Sequence, residues 1–341
     1  MFYLEKKYEL AEPTLLGFIW LRIAMVLEFT LITLPVVLLI VKVMEWTGDY
    51  LILAFFLSTA LVKIIVMYIY PLLIRPLFSQ FEELGDWTGN VFRDAITEEA
   101  KAAGLNATKD IKLEKSFQYD VNANASCSLG QISLGLPLFQ VHKEHPAEII
   151  SVLIHECGHY KHNHLLKQTI VDTIYMVLFG TFLQQLSNDQ SFLMSFGFFC
   201  PSYFASFFLL LWMWANSADV PIRVGLRLII RSFERQADLY TVQRGYGSVF
   251  RNALIRSYAK SLDLLFLSPL DDLLNSSHPP LLERLAYVQD ELEKDGDKQN
   301  PMIAQLKEVK LVPPAHLCFD DEDEDGDKNS QGSSSKMDQE N

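Results

Sequence analysis

The sequence predicts a mainly α-helical, integral membrane chain with about four transmembrane helices and a small cytosolic α+β unit. Two observations carry this expectation. Of 341 residues, 50% are hydrophobic, and the mean hydropathy of +0.13 is above what a soluble domain usually carries. The apolar residues are also gathered into blocks long enough to cross roughly 30 Å of hydrocarbon, separated by polar stretches that keep helix or strand periodicity.

The first block runs from about Leu15 to Met44 and the second from about Tyr50 to Ile74, which makes residues 1–74 a membrane hairpin of two spans. The opening block is too long for a cleavable signal peptide and follows mixed charge, so the first span is expected to stay. Residues 75–167 form the cytosolic α+β unit. Within it Phe81 to Ala103 reads as one amphipathic helix ended by Gly104, Asp110 to Phe117 alternates as a strand, and Ile132-Ser133-Leu134 is another short strand. Pro146 then opens a helix whose apolar residues recur at helical spacing through Ile154. Residues 168–232 hold spans three and four, from about Gln168 to Leu186 and from about Phe192 to Trp214, with an extension through Ile230. Residues 233–318 carry cytosolic helices, from about Gly247 to Leu267 and from Pro280 to Glu293. The segment 319–341 is an acidic disordered tail: residues 320–341 hold nine acids against two lysines, over half of the net charge of −13.

Positive residues set the orientation. Lys6 and Lys7 precede span one, Arg75, Lys161 and Lys167 flank the central unit, and Arg231 and Arg235 follow the last block, whereas Ser187-Asn188-Asp189-Gln190 has no basic residue. Both termini and the central unit therefore face the cytosol. The stripe Arg223, Arg227, Arg231 reads as headgroup anchoring ahead of carboxylate binding. Glu28, Lys63 and Asp172 lie inside spans and are costly in lipid, so they face a watery interior or one another, as in a Glu28–Lys63 pair. Cys127, Cys157, Cys200 and Cys318 lack metal-type spacing, which excludes a disulfide framework and a cysteine-rich zinc site. Membrane lipid is an expected partner and nucleic acid is not.

The chemistry rests on His155-Glu156-Cys157-Gly158-His159. A chance HExxH arises on the order of once in a hundred such chains, so its helical setting gives it weight. Residues four apart share a helix face, which lets His155 and His159 aim two imidazoles at one metal ion with Glu156 beside it. A catalytic zinc needs a third protein ligand and an open position for water. Leu165, ten residues after His155, excludes the metzincin pattern. The candidate third ligand is Glu234, at the cytosolic end of the last apolar block. Asp238, one helical turn on, is the candidate to accept the free ring N–H of a ligand histidine. His162 as a fourth ligand would close the site to water, so His162 and His164 are read as polar residues at the membrane surface.

HExxH, a distant Glu234-Arg235-Gln236-Ala237-Asp238 and His278-Pro279-Pro280-Leu281-Leu282-Glu283-Arg284, in that order, resemble the membrane gluzincins, and most closely the type I CAAX prenyl protease family. Further similarity lies in Glu5-Lys6-Lys7-Tyr8 leading to Thr14-Leu15-Leu16-Gly17, in Arg75-Pro76-Leu77-Phe78 and in Asn124-Ala125, and it extends from residue 1 to about 293. The family's N-terminal spans look to be lacking. The resemblance implies a zinc metalloendopeptidase with one Zn2+ per chain, held by His155, His159 and Glu234, with Glu156 as general base and His278 and Arg284 holding charge on the reacting oxygen. It implies that Asn124 and Ala125 sit on an edge strand that pairs with the substrate backbone. It further implies prenylated CAAX proteins as substrates, cut after the cysteine to release three residues, at the endoplasmic reticulum or nuclear envelope. The catalytic motifs are shared with bacterial HtpX-type quality-control proteases, which is the first alternative. A catalytically inactive zinc-binding membrane protein is the second.

Overall fold

The computed structural model describes residues 15–47, 50–65, 79–84, 88–116, 125–128, 131–199, 203–261, 268–276, 278–296 and 298–311. The acidic tail, the end of the second apolar block and Asn124 lie outside them.

Among the described residues, two helices come first, α1 (Leu15–Thr47) and α2 (Leu51–Ile64). A four-stranded sheet follows, built from β1 (Ser79–Glu82), β2 (Ile111–Ser116), β3 (Ala125–Ser128) and β4 (Gln131–Gly135) in the order β1-β2-β4-β3. Between β1 and β2 lie α3 (Asn90–Ala103) and the short turn α4 (Ala107–Asp110), and after β4 comes α5 (Leu136–Val141). The helix α6 (Pro146–Lys161) carries HExxH and leads into α7 (His164–Asn188). Next are α8 (Gln190–Ser195), α9 (Tyr203–Met213), a π-helical turn Trp214–Ala218 and α10 (Asp219–Gln243). The chain continues through α11 (Gly247–Ser261), α12 (Pro269–Asn275), α13 (Leu281–Asp295) and α14 (Met302–Leu306).

Alternation in β2 and β4 explains the core of the sheet region. The two strands run parallel with Ile111 opposite Ile132 and Leu113 opposite Leu134, and all four side chains are buried on one face. That face meets Phe92, Ile96 and Ala100 of α3 and Ile150, Leu153 and Ile154 of α6 in a single cluster. The sheet thus backs the motif helix. One sequence expectation fails here: Phe81 belongs to β1, antiparallel to β2, and the amphipathic helix begins only at Asn90. Gly89 at φ +75° separates the two, a backbone turn that a side chain would resist. Gly104, at φ +90°, ends α3 as the sequence predicts.

The apolar helices pack around Trp214. Val41 of α1, Phe179 and Leu183 of α7 and Phe207 and Leu210 of α9 surround it, and its Nε1 donates to Tyr175 Oη at 2.7 Å. On α7 the large residues Ile170, Ile174, Leu178 and Phe182 recur every four positions and stay exposed, as a lipid-facing stripe requires. Among the described residues, the stretch His164–Leu186 is by itself long and apolar enough to cross a membrane, and Phe204–Ser217 is apolar but shorter. The block expected to start at Phe192 is interrupted: α8 ends at Ser195, and Gly197 at φ +87° turns the chain before α9. Lys63 pairs with Asp172 at 4.0 Å and donates to Thr173 Oγ1 and the Thr169 carbonyl, both at 3.4 Å; the Glu28 side chain lies outside the described residues. Arg231, expected among lipid headgroups, instead donates to Asp272 Oδ2 at 2.8 Å and to its carbonyl at 2.7 Å, tying α10 to α12.

Candidate metal centre

Two helices build the site, and small residues let them meet. Gly158 of α6 faces Ala237 of α10 so closely that a Cβ at Gly158 would lie 2.9 Å from the Ala237 Cα. Ala237 is fully buried there. The middle of each motif therefore serves packing: the Gly of HECGH and the Ala of ERQAD bring the flanking ligands into one place.

The candidate ligand atoms of His155, His159 and Glu234 lie close together. His155 Nε2 lies 3.1 Å from His159 Nε2, and Glu234 offers one carboxylate oxygen 3.5 Å from each ring: Oε2 to His155 and Oε1 to His159. Tetrahedral zinc with ligands at about 2.0–2.1 Å requires ligand atoms about 3.3–3.4 Å apart. Glu234 Oε2 is buried without a hydrogen-bond partner, which an ion at the centre of the three side chains would cure. Both observations fit a metal of that kind, and a three-residue donor set leaves a position open.

Each ring is held from behind. His155 Nδ1 lies 2.8 Å from Asp238 Oδ1, and the ring stacks on Phe250 with centroids 5.6 Å apart. Asp238 is fully buried and receives Arg284 Nε at 2.8 Å, Arg284 Nη2 at 2.6 Å and the Tyr287 hydroxyl. Arg284 was expected beside the reacting oxygen. The structure puts it elsewhere: it is 6% exposed, its fork is spent on Asp238, and it is absent from the residues that line the cleft.

Charge follows from these contacts. Burial pushes the Glu234 carboxyl up, but the imidazole of His155 outweighs it and holds the group down at about 2. Burial also opposes ionisation of Asp238, which Arg284 and His155 keep well below the usual carboxylate range. His155 resists burial and is pushed up by Asp238 and Glu234, while His159 is pushed down by burial and by His155. The two carboxylates stay ionised, as cation binding needs.

A cleft of about 460 Å³ opens over the three ligands. Glu156, half-buried, lines it with His155, His159, Glu234 and His278, and Leu165, Leu166, Ile230 and Phe233 add an apolar wall. His278 is 56% exposed, with Nε2 3.4 Å from Glu234 Oε2. Ala125 begins β3, which stands at the sheet edge and packs on α6; its expected partner Asn124 is outside the described residues. Cys157 is buried in the core, as a packing residue would be. One residue was misread: His164, expected at the membrane surface, is 4% exposed and lies 3.0 Å from His159, Nδ1 to Nδ1. Its nine-residue distance from His155 carried no helical signal, because Asn163, in the left-handed region at φ 54°, breaks the helix between them.

Residues 88–292 match the sequence model of peptidase family M48. The chain belongs to that family. Residues 1–80 match the N-terminal region of CAAX prenyl proteases, described as five membrane helices, which corrects the expectation that the family's N-terminal spans are lacking: helices of that region are present in this chain. Together these matches make the M48 chain an integral membrane protein of mainly helical fold. Among relatives, a CAAX prenyl protease 1 homolog of Arabidopsis thaliana is 29% identical over 81% of this chain and 66% of its own length. CAAX prenyl protease 1 of Saccharomyces cerevisiae is 29% identical over 68% of this chain and 54% of its own. The crystal structure of S. mikatae Ste24p superposes with a TM-score of 0.73 at 25% identity, covering 84% of this chain and 70% of that one. The M48 chain spans about two thirds of the length of the Arabidopsis relative.

Proposed function

We propose that this M48 chain is a zinc metalloendopeptidase that removes the three C-terminal residues of prenylated CAAX proteins at the cytosolic face of the endoplasmic reticulum. The observation that carries the reading is the convergence of His155, His159 and Glu234 within ligand distance beneath a cleft with one apolar wall. The names of the relatives supply the substrate class. A single lipid chain leaves a protein loosely attached to its membrane, so a site at the foot of a membrane helix suits such a tail.

Zinc held by His155, His159 and Glu234 would supply Lewis acidity, acidifying water and polarising the scissile carbonyl. Glu156 takes the proton from the attacking water and later delivers it to the leaving amine. His278, exposed to the cleft, donates to the oxygen on which charge develops. Asp238 fixes the His155 ring, and Arg284 and Tyr287 fix Asp238, so Arg284 acts through the aspartate. β3, with Ala125 at its start beside Asn124, is the edge on which an extended substrate adds as a strand. The domain division given by the sequence belongs to the same proposal: membrane hairpin 1–74, catalytic unit 75–167 and 233–318 around the spans of 168–232, and tail 319–341.

The test is cleavage of a farnesylated CAAX peptide, its unprenylated twin and casein by zinc-loaded protein, with Glu156→Gln as control. Release of a tripeptide from the farnesylated peptide alone is the expected result. Equal cleavage of the twin and casein would favour a broad quality-control protease, and no cleavage of any substrate despite bound zinc would favour a non-catalytic role.

A further inference from the structure

Behind the metal-facing edge of His159 runs a polar chain that none of the roles above uses. His164 opens α7 directly after the left-handed Asn163, is 4% exposed, and stacks on Phe233 with ring centroids 4.6 Å apart and planes 11° from parallel. Its Nδ1 lies 3.0 Å from His159 Nδ1, and its Nε2 lies 3.3 Å from Gln236 Oε1. Gln236 Nε2 in turn donates to Ser232 Oγ at 3.4 Å.

Donor counting orders the protons along this chain. An amide oxygen only accepts, so His164 Nε2 carries a hydrogen and donates it to Gln236. A neutral imidazole has a single N–H, which leaves His164 Nδ1 as an acceptor. The N–H it accepts comes from His159 Nδ1. The lone pair of His159 then sits on Nε2, the atom that faces Glu234 and His155. Reversing the tautomer of His164 would leave the Gln236 oxygen without its donor and would require the lone pair of His159 on Nδ1 instead of on Nε2, the atom that faces Glu234.

We propose that His164, oriented by Gln236 and Phe233, is a positioning residue that fixes the ring and tautomer of His159. It does behind the second motif histidine what Asp238 does behind the first. The two supports differ in kind. Asp238 brings a buried negative charge to His155, whereas the His164–Gln236 chain holds His159 with neutral groups, so the site gains direction there without a further anion. This inference rests on the reading of His155, His159 and Glu234 as metal ligands.

The test uses the purified full chain, stripped of metal, titrated with Zn2+ against a chromogenic chelator and then timed for zinc release into excess chelator. Loss of the group behind a ligand histidine typically weakens metal binding about 10–100-fold, and His164→Phe, which keeps the stacking on Phe233, is expected to show a loss of that size with faster release. Gln236→Met removes the acceptor, together with the amide's donation to Ser232, and should weaken binding by a few-fold, whereas Gln236→Glu restores the acceptor alone and should stay near wild type. Wild-type affinity and release rate in His164→Phe, at unchanged helical content by circular dichroism, would overturn the proposal. If His164→Phe fails to fold, the Gln236 pair decides: equal losses in Gln236→Met and Gln236→Glu would overturn it as well. A wild-type chain that binds one zinc and gives this pattern, yet cleaves no farnesylated peptide, would refute the substrate reading and leave this one standing. A wild-type chain that binds no zinc would refute both.

Discussion

The junction of α6 with α10 and the junction of α2 with α7 each join two helices through a charge, and they hold it in opposite ways. At the first, Gly158 and Ala237 bring the backbones into contact, and Asp238 is enclosed by Arg284, Tyr287 and His155 at hydrogen-bonding distance. At the second, Lys63 reaches Asp172 only at 4.0 Å, both side chains remain partly exposed, and its two hydrogen bonds are long. The difference shows where the molecule needs accuracy. Three candidate ligand atoms can hold one ion only if they meet within tenths of an ångström, which takes close packing and a fully paired buried charge. Helices that shed apolar surface to lipid tolerate a looser polar link.

The sharpest break of this contrast comes from the chemistry at the tight junction. Glu156→Gln is expected to lower peptide cleavage about 10²–10⁴-fold, the usual worth of a general base, with zinc content unchanged by metal analysis. Next comes Arg284→Met, which takes the guanidinium from the buried Asp238 carboxylate and leaves it Tyr287 and His155; a loss of about 3–5 kcal/mol is expected, read as a lowered melting temperature in detergent. Gly158→Ala forces a Cβ toward the Ala237 backbone, which cannot yield as a side-chain tip could, at a cost of about 1–3 kcal/mol and with weakened zinc retention. At the loose junction, Lys63→Met should change stability by only about 0.6 kcal/mol. A stability loss there as large as in Arg284→Met would erase the comparison.

Acid should separate the regions too. Burial raises Glu148, but its hydrogen bonds with His142 at 2.6 Å and Arg256 at 2.9 Å prevail and hold its carboxyl below the ordinary 4.5. A carboxyl depressed on folding contributes stability above its unfolded value, lost as pH falls through the folded value. The melting-temperature gap between wild type and Glu148→Gln is therefore expected to be full at pH 7 and to shrink below about pH 4. A gap that stays constant would assign the loss to packing.

Some of this was open to reading in the chain. The spacing of His155 and His159 and the one-turn spacing of Glu234 and Asp238 are properties of a helix, so each half of the candidate ligand set could be read from local geometry. β2 and β4 declared themselves by alternation. The start of α3 did not, because Phe81 continues an apolar pattern that β1 and a helix share until Gly89 breaks it. The role of Arg284 was hidden for another reason: an arginine near a histidine motif reads equally as an oxyanion partner or as a clamp, and only the position of Asp238 decides between them.

The sequence by itself determined the motif helix, the distant carboxylate, the apolar blocks and the family resemblance, since each is written in spacing along one segment. Tertiary structure alone decided that Gly158 meets Ala237, that Arg284 closes on Asp238 and that His164 stands behind His159. Those contacts join segments far apart in sequence or separated by a left-handed residue. Their distances depend on how two helices pack, which no periodicity within either helix records.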